Sequence, residues 1–227
     1  PLIIKATGRS DFYYTLTSVA LLSVGAAGVW LTFYIGRINI GQGAYALVGG
    51  YVSTILVTQA GVSFWLTLPL AGLFCALISV LIGLPILRLR GVYFAMVTLV
   101  LTEVARLTAL ALPITNGAKG ITSIVLMIVT YLVLWRIVNS RLGHLCRSLQ
   151  QNEELSASIG VNTAYLRVLA YAISSFFGGI AGAMFASIAQ SIYPSSFVVA
   201  DSVNFMLYCF LGGLGYVFGP MLGTLLL

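Results

Sequence analysis

Glu103 and Arg106 stand three residues apart inside the apolar run VYFAMVTLVLTEVARLTALAL, a spacing that puts them on one helix face within pairing reach. Charges inside such a run are expensive. The pair therefore reads either as part of a solute pathway or as an internal ion pair that orients one helix against its neighbours. A second group lies in INIGQGAYALVGGYV, residues 38–52, where Asn39, Gln42 and Tyr45 are interspersed with Gly41, Gly43, Gly49 and Gly50. Each glycine costs a continuous helix about 1 kcal/mol relative to alanine. A broken helix can turn its freed N–H groups and its half-helix N-terminus toward an anionic group of a solute. A short loop between two ordinary helices fits the same residues equally well.

The third group is RSLQQNEELSASIGVN, residues 147–162, the most polar stretch of the chain. Asn152 is placed to cap a short helix, with Glu153 and Glu154 in its first turn, where the helix dipole favours negative charge. Leu155 and Ile159 form an apolar face around Ser156 and Ala157, and Gly160 supplies a C-terminal stop. Asn162 or Thr163 can cap the next span. The pattern predicts a two-turn helix presenting a knob of Leu and Ile ringed by carboxylates to a partner. An ordinary surface helix is the plainer alternative. Just before it, Leu142, Leu145 and Leu149 form one apolar stripe on residues 140–151, suited to a membrane surface or another subunit.

Other chemistry is missing from the sequence. There is no G-x-x-x-x-G-K-[ST] phosphate loop, so ATP binding of that type is not expected. His144 has no Cys or carboxylate ligand set, and Cys75, Cys146 and Cys209 lie far apart without metal or disulfide spacing. No nucleophile elbow or paired-carboxylate site is present. The expectation is a non-enzyme without catalytic residues, metal or cofactor of its own.

These residues need elements to hold them. The chain is 60% hydrophobic and only 7% charged, too little polar surface for a soluble domain, which carries about a quarter charged residues. Its apolar runs are continuous rather than alternating, which excludes a membrane β-barrel. The fold class is all-α: a polytopic transmembrane helical bundle with a Gly-broken helix and a short cytoplasmic helix. Candidate spans are Ser18–Ile35, Ala44–Val62, Phe64–Leu87, Val92–Leu112, Ile121–Trp135, Leu166–Gln190 and Val203–Leu227. Ile121–Trp135 is short for a crossing, and GGLGYVFGP divides the last span into two half-elements. The net charge of +6 comes from basic residues at the ends of apolar runs, a topology signal rather than a nucleic-acid surface. Alternate loops put Arg37, Arg88, Arg90, Arg136, Arg141, Arg147 and Arg167 on one side, against Lys5, Arg9 and Lys119 on the other. The positive-inside rule makes the arginine-rich side cytoplasmic. Gly178, Gly182 and Ala186, and likewise Gly215, Gly219 and Gly223, recur at spacing four. They suit close helix contacts, either moving or static, and static packing is the plainer reading.

Taken together, INIGQGAYALVGGYV, GLPILRLRGVYFAMVTLVLTEVARL, SRLGHLCRSLQQNEELSASIGVNTAYLRVLAYAISSFFGGIAGAM and LGGLGYVFGPMLGTLLL resemble the integral-membrane permease subunits of branched-chain amino acid type ABC importers. The resemblance covers most of residues 35–227. It implies an ATP-driven importer in the inner membrane. Two permease subunits, here a heterodimer, would span the lipid, two cytoplasmic ABC ATPases would bind the ATP, and a periplasmic solute-binding protein would deliver the solute. Branched-chain amino acids lead as solute, with urea or short amides as the alternative, and an ion-coupled secondary transporter as the rival mechanism. By the same resemblance Asn152, Glu153, Glu154, Leu155, Ser156, Ala157, Ile159 and Gly160 form the ATPase-coupling helix, within a cytoplasmic loop over residues 139–163. Asn39, Gly41, Gln42, Gly43 and Tyr45 lie near the translocation pathway, and Glu103 and Arg106 match a recurrent pair. Arg37 and Ile38 depart from the apolar or small residues common there. The region around residues 118–125 is shorter than usual. Residues 1–227 read as one permease domain, incomplete at both ends.

Overall fold

The computed structural model describes residues 9–89, 91–110, 122–189 and 192–226. Among these described residues, ten α-helices follow one another: α1 (Arg9–Phe33), α2 (Gln42–Thr58), α3 (Phe64–Ile86), α4 (Val92–Leu110), α5 (Thr122–Val138), α6 (Arg141–Gln151), α7 (Glu153–Ser158), α8 (Thr163–Ala189), α9 (Val199–Gly212) and α10 (Gly219–Leu226). A single 3-10 turn, Pro194–Ser196, precedes α9. The described residues contain no strand, as the continuous apolar runs require.

Among the described residues, five helical stretches are long and apolar enough to cross a bilayer: Thr15–Phe33, Phe64–Ile86, Val92–Ala109, Thr163–Ala189 and Pro194–Gly212. Val125–Val138 and Arg141–Gln151 form a sixth only if counted as one element, and they meet at a bend of 72°. One of the expected spans changes. Ala44–Val62 becomes the 17-residue α2, which ends at Thr58 ahead of a turn through Gly61 (φ +61°). At 1.5 Å per residue that is roughly 25 Å, less than the hydrocarbon thickness. Val203–Leu227 divides as expected, because Gly213 (φ +92°) ends α9 and α10 folds back against it. Of the shortened connection expected around residues 118–125, residues 118–121 lie outside the described residues, as does Arg90.

Helix α8 is the hub and packs against α1, α2 and α3. Small residues make this possible, since each lets a neighbouring backbone approach. Gly179 faces Cys75 and Ala71 of α3, while Gly182 faces the backbone of Ala46 in α2. The outward faces of α3 and α4 carry exposed Leu73, Leu77, Leu81, Val100, Val104 and Leu107, the surface a helix turns toward lipid. Both helices pack on α2 rather than on each other. Between them they leave an apolar cleft of about 400 Å³ floored by Leu47, Val48 and Tyr51.

The loops assigned to the arginine-rich side do meet at one end of the bundle. Arg37 reaches Glu153 and the Leu89 carbonyl, and Gln150 Nε2 donates to the Phe33 carbonyl at 3.3 Å. Gly36, at φ +74°, turns the chain there and lies against Gln150.

Candidate functional site

Two constellations stand out, one inside the bundle and one at its arginine-rich end. The inner one is the helix break. The chain leaves α1, turns at residues 34–36 and runs without helix or strand through Arg37–Gly41 before α2 begins at Gln42. A helix start leaves backbone N–H groups without intrahelical partners, and buried ones must find others. The Ile40 N–H donates to Thr98 Oγ1 at 3.1 Å, the Gly41 N–H to Asn39 Oδ1 at 2.8 Å, and the Gly43 N–H to Ser202 Oγ at 2.9 Å. Thr98 comes from α4 and Ser202 from α9, so the break is bound by helices distant in sequence.

Side chains complete the network. Gln42 Nε2 donates to the Ser174 carbonyl at 3.1 Å, and the Ser174 hydroxyl donates back to Gln42 Oε1 at 3.3 Å. The Asn39 amide reaches the same Oε1 at 3.5 Å. Thr102 Oγ1 donates to the Ile40 carbonyl and lies 3.3 Å from Ser202 Oγ. Asn39, Gln42, Thr98, Thr102, Ser174 and Ser202 are all fully buried. Gly43 is required as well, because a Cβ there would collide with the Ser202 hydroxyl. Tyr45 lies one turn further on, donating its hydroxyl to that of Tyr171 at 3.0 Å with the rings edge to face. The half-helix N-terminus expected to face a solute is thus filled in this conformation by hydroxyls and an amide of the protein itself.

Glu103 and Arg106 do not join this network. Arg106 Nε donates to both Glu103 oxygens, at 3.0 and 3.2 Å, and Arg106 Nη2 also reaches Oε1. The pair is closed on itself and part-exposed on α4, whereas Thr98 and Thr102 occupy the inner face of that helix. Sequence reading named Asn39 and Gln42 but missed Thr98, Thr102, Ser174 and Ser202. Each of the four is a small hydroxyl residue in an apolar helix, a common neutral occupant, and only the fold reveals that all point at one break.

At the arginine-rich end the residues do locally what their types dictate. Asn152 Oδ1 accepts from the N–H groups of both Glu154 and Leu155 at 3.0 Å, capping α7. Gly160, at φ +87°, ends it, and Asn162 Oδ1 accepts from the Tyr165 N–H at 3.0 Å to start α8. Ser156 turns inward, its hydroxyl on the Asn152 carbonyl at 2.8 Å. Leu155 and Ile159 are 63% and 71% exposed, and Glu154 and Ala157 are exposed beside them.

Two expectations need correction here. Glu153 does not ring the knob; it turns into the protein toward Arg37 and Arg167, because two nearly buried guanidinium groups require a counter-charge. On α6 the buried set is Gly143, Cys146 and Leu149, while Leu142 and Leu145 of the expected stripe face outward. Gly143 fits because α6 crosses the Val138 backbone there, leaving no room for a Cβ.

All three cysteines are buried, and burial pushes the Cys146 thiol up to about 11, so it stays protonated and unreactive at neutral pH. We expect a membrane-impermeant maleimide at neutral pH to leave the folded protein unlabelled and to label Leu155→Cys readily. Comparable labelling of the unsubstituted protein would contradict this packing.

The helical spans, the buried polar break and the polar end make this a polytopic helical membrane protein. Its sequence matches the family model described as branched-chain amino acid transport system / permease component over residues 12–127 and 114–227, and the chain belongs to that family. It is 29% identical over 237 residues to the high-affinity branched-chain amino acid transport system permease protein LivM of Escherichia coli (strain K12), covering 85% of this chain and 56% of that protein. The LivM protein of Salmonella typhimurium gives the same figures. A probable branched-chain amino acid transport permease protein LivH of Methanocaldococcus jannaschii is 26% identical over 239 residues, covering 89% of this chain and 73% of the relative. The chain spans about half the length of the LivM proteins it matches. No solved structure matches it.

Proposed function

We propose that the chain is a membrane-spanning permease subunit of an ATP-driven importer for branched-chain amino acids or related small solutes, seated in a bacterial inner membrane. It works with two cytoplasmic ABC ATPases that bind the ATP, a second related permease and a periplasmic solute-binding protein. The observation that carries this reading, beyond family membership, is α7: a capped six-residue helix at the arginine-rich end whose two large apolar side chains face outward. A polar end has little reason to expose Leu155 and Ile159 together unless a partner covers them. Residues 152–160 are the lever, and the ATPase cycle pushes on it.

The break at Asn39–Gly43 is the joint of the pathway. Its N–H groups are held by Thr98 of α4 and Ser202 of α9, so relative movement of those helices would release donors at the start of α2 toward a solute carboxylate. Glu103 and Arg106, paired on the outer part of α4, serve the pathway by orienting that helix.

Reconstitution tests the reading. Liposomes carrying this chain with its partner permease and ATPases should import leucine only with ATP and the binding protein present. Uptake by this chain alone, driven by an ion gradient, would overturn it in favour of a secondary transporter.

A further inference from the structure

Two arginines converge on one carboxylate at the base of the lever. Arg37 is 4% exposed and Arg167 8%, and both direct guanidinium nitrogens at Glu153. Arg37 Nη2 lies 3.5 Å from Glu153 Oε2, and Arg167 Nη2 pairs with Oε1. The other terminal nitrogen of Arg37, Nη1, donates to the Leu89 carbonyl, just past the end of α3. One arginine thus joins three parts of the molecule at once. These are the first residue of α7, the turn between α3 and α4, and, through its own backbone, the non-helical segment that enters the break two residues later at Asn39.

The two pairs differ in what they connect. α7 and α8 are already joined by the short chain from Ile159 to Asn162, so Arg167 ties neighbours that are covalently linked. Arg37 instead ties the lever to a segment remote in sequence. That segment in turn is bonded to α4 through Thr98 and Thr102. Displacement of Glu153 therefore pulls on Arg37, on the break, and on the α3–α4 turn together.

We propose that Arg37 is a positioning residue that transmits movement of the short helix α7 to the helix break at Asn39–Gly43, with Glu153 as its anchor and Arg167 as the anchor's second support. This rests on the permease reading above. Arginine suits the role because its fork makes two directed contacts, whereas a lysine ammonium is a single point charge. The charges set the choice of variants. Three groups with two cations and one anion carry a net charge of +1, so removing either arginine leaves a balanced pair. Removing Glu153 instead leaves two buried cations facing each other, which is strongly destabilising.

The experiment compares Arg37→Met with Arg167→Met in the reconstituted complex, reading leucine imported per ATP hydrolysed. Both should insert and retain the ATPases. Arg37→Met is expected to lower import per ATP on the order of tenfold, the scale of a typical coupling free energy between sites, while Arg167→Met stays within about threefold of wild type. Arg37→Lys, with one contact of the two, should fall between. Should Arg37→Met fail to assemble, Arg37→Gln reads the same ratio, since its amide can still donate to the Leu89 carbonyl without the charge. Equal losses in Arg37→Met and Arg167→Met, or a wild-type ratio in Arg37→Met or Arg37→Gln, would overturn the proposal. A wild-type complex without ATP-dependent import would instead refute the permease reading itself, and the inference with it.

Discussion

Gly182→Val is expected to prevent the bundle from packing, and purified protein should be aggregated or absent at an expression level where wild type is monodisperse. The reason is geometric. A Cβ on Gly182 would fall on the Ala46 carbonyl oxygen and 2.5 Å from its carbonyl carbon, and both atoms are backbone of α2. One turn away the relation repeats, for a Cβ on Gly49 would lie 2.7 Å from the Gly179 carbonyl carbon. Backbone on both sides cannot swing aside as a side chain can, so α2 and α8 would have to separate. Overpacking a core costs about 1–3 kcal/mol where side chains can adjust, and the upper end or more applies where they cannot. Separation would also pull Gln42 from the Ser174 carbonyl, leaving buried amide and carbonyl groups unpaired at about 1–3 kcal/mol each. Total stabilities are on the order of 5–15 kcal/mol, so the sum is disabling. Gly215→Ala is the control: nothing lies within 4 Å of its Cβ position, so its thermal stability should stay near wild type. A Gly182→Val protein that melts with wild type would show that α2 and α8 do not meet as described.

That contrast marks where sequence reading reached its limit. The stripes Gly178–Gly182–Ala186 and Gly215–Gly219–Gly223 look alike as sequence. In the fold, Gly178 lies against Gln42 and Gly182 against Ala46, and Gly219 and Gly223 pack against backbone at the end of α9 and the turn after it, whereas a Cβ on Gly215 would meet nothing. Spacing says which residues share a face but not which neighbour arrives there. Helix α7 was legible because its signals are local: Asn152 bonds two and three residues ahead, and Gly160 adopts its own positive φ. Glu153 was misread because its partners are 116 positions before it, at Arg37, and 14 after it, at Arg167. A dipole argument at a helix N-terminus applies to both glutamates and cannot say that one turns inward. The break at Asn39–Gly43 was visible through its glycines and amides. Its closure by Thr98, Thr102, Ser174 and Ser202 was not, since hydroxyl residues that bond their own helix and those that bond across helices look identical in sequence.

Leu155→Asp is expected to insert normally and to lose solute-stimulated ATP hydrolysis. The variant should fold because Leu155 is mostly exposed and its replacement falls in the first turn of α7, where a carboxylate is favoured by the dipole. Exposed substitutions of this kind shift stability by about 0.5 kcal/mol or less. At a partner's surface the balance reverses. Burying a leucine there contributes about 1.5–3 kcal/mol, which is lost. Seating a carboxylate in the same apolar pocket costs a further few kcal/mol without a hydrogen-bonding partner. Each 1.4 kcal/mol is a factor of about ten in affinity, so the combined change weakens docking by a factor of several hundred or more. Pull-down of the ATPases by Leu155→Asp should therefore fail, and Ile159→Asp, one turn further along the same exposed face, should fail with it. Arg37→Met is expected to behave differently, retaining the ATPases while wasting their hydrolysis, because it lies behind the lever rather than on its face. The two phenotypes separate docking from transmission. If Leu155→Asp binds the ATPases and responds to solute as wild type does, the outward face of α7 is not where the ATPases push.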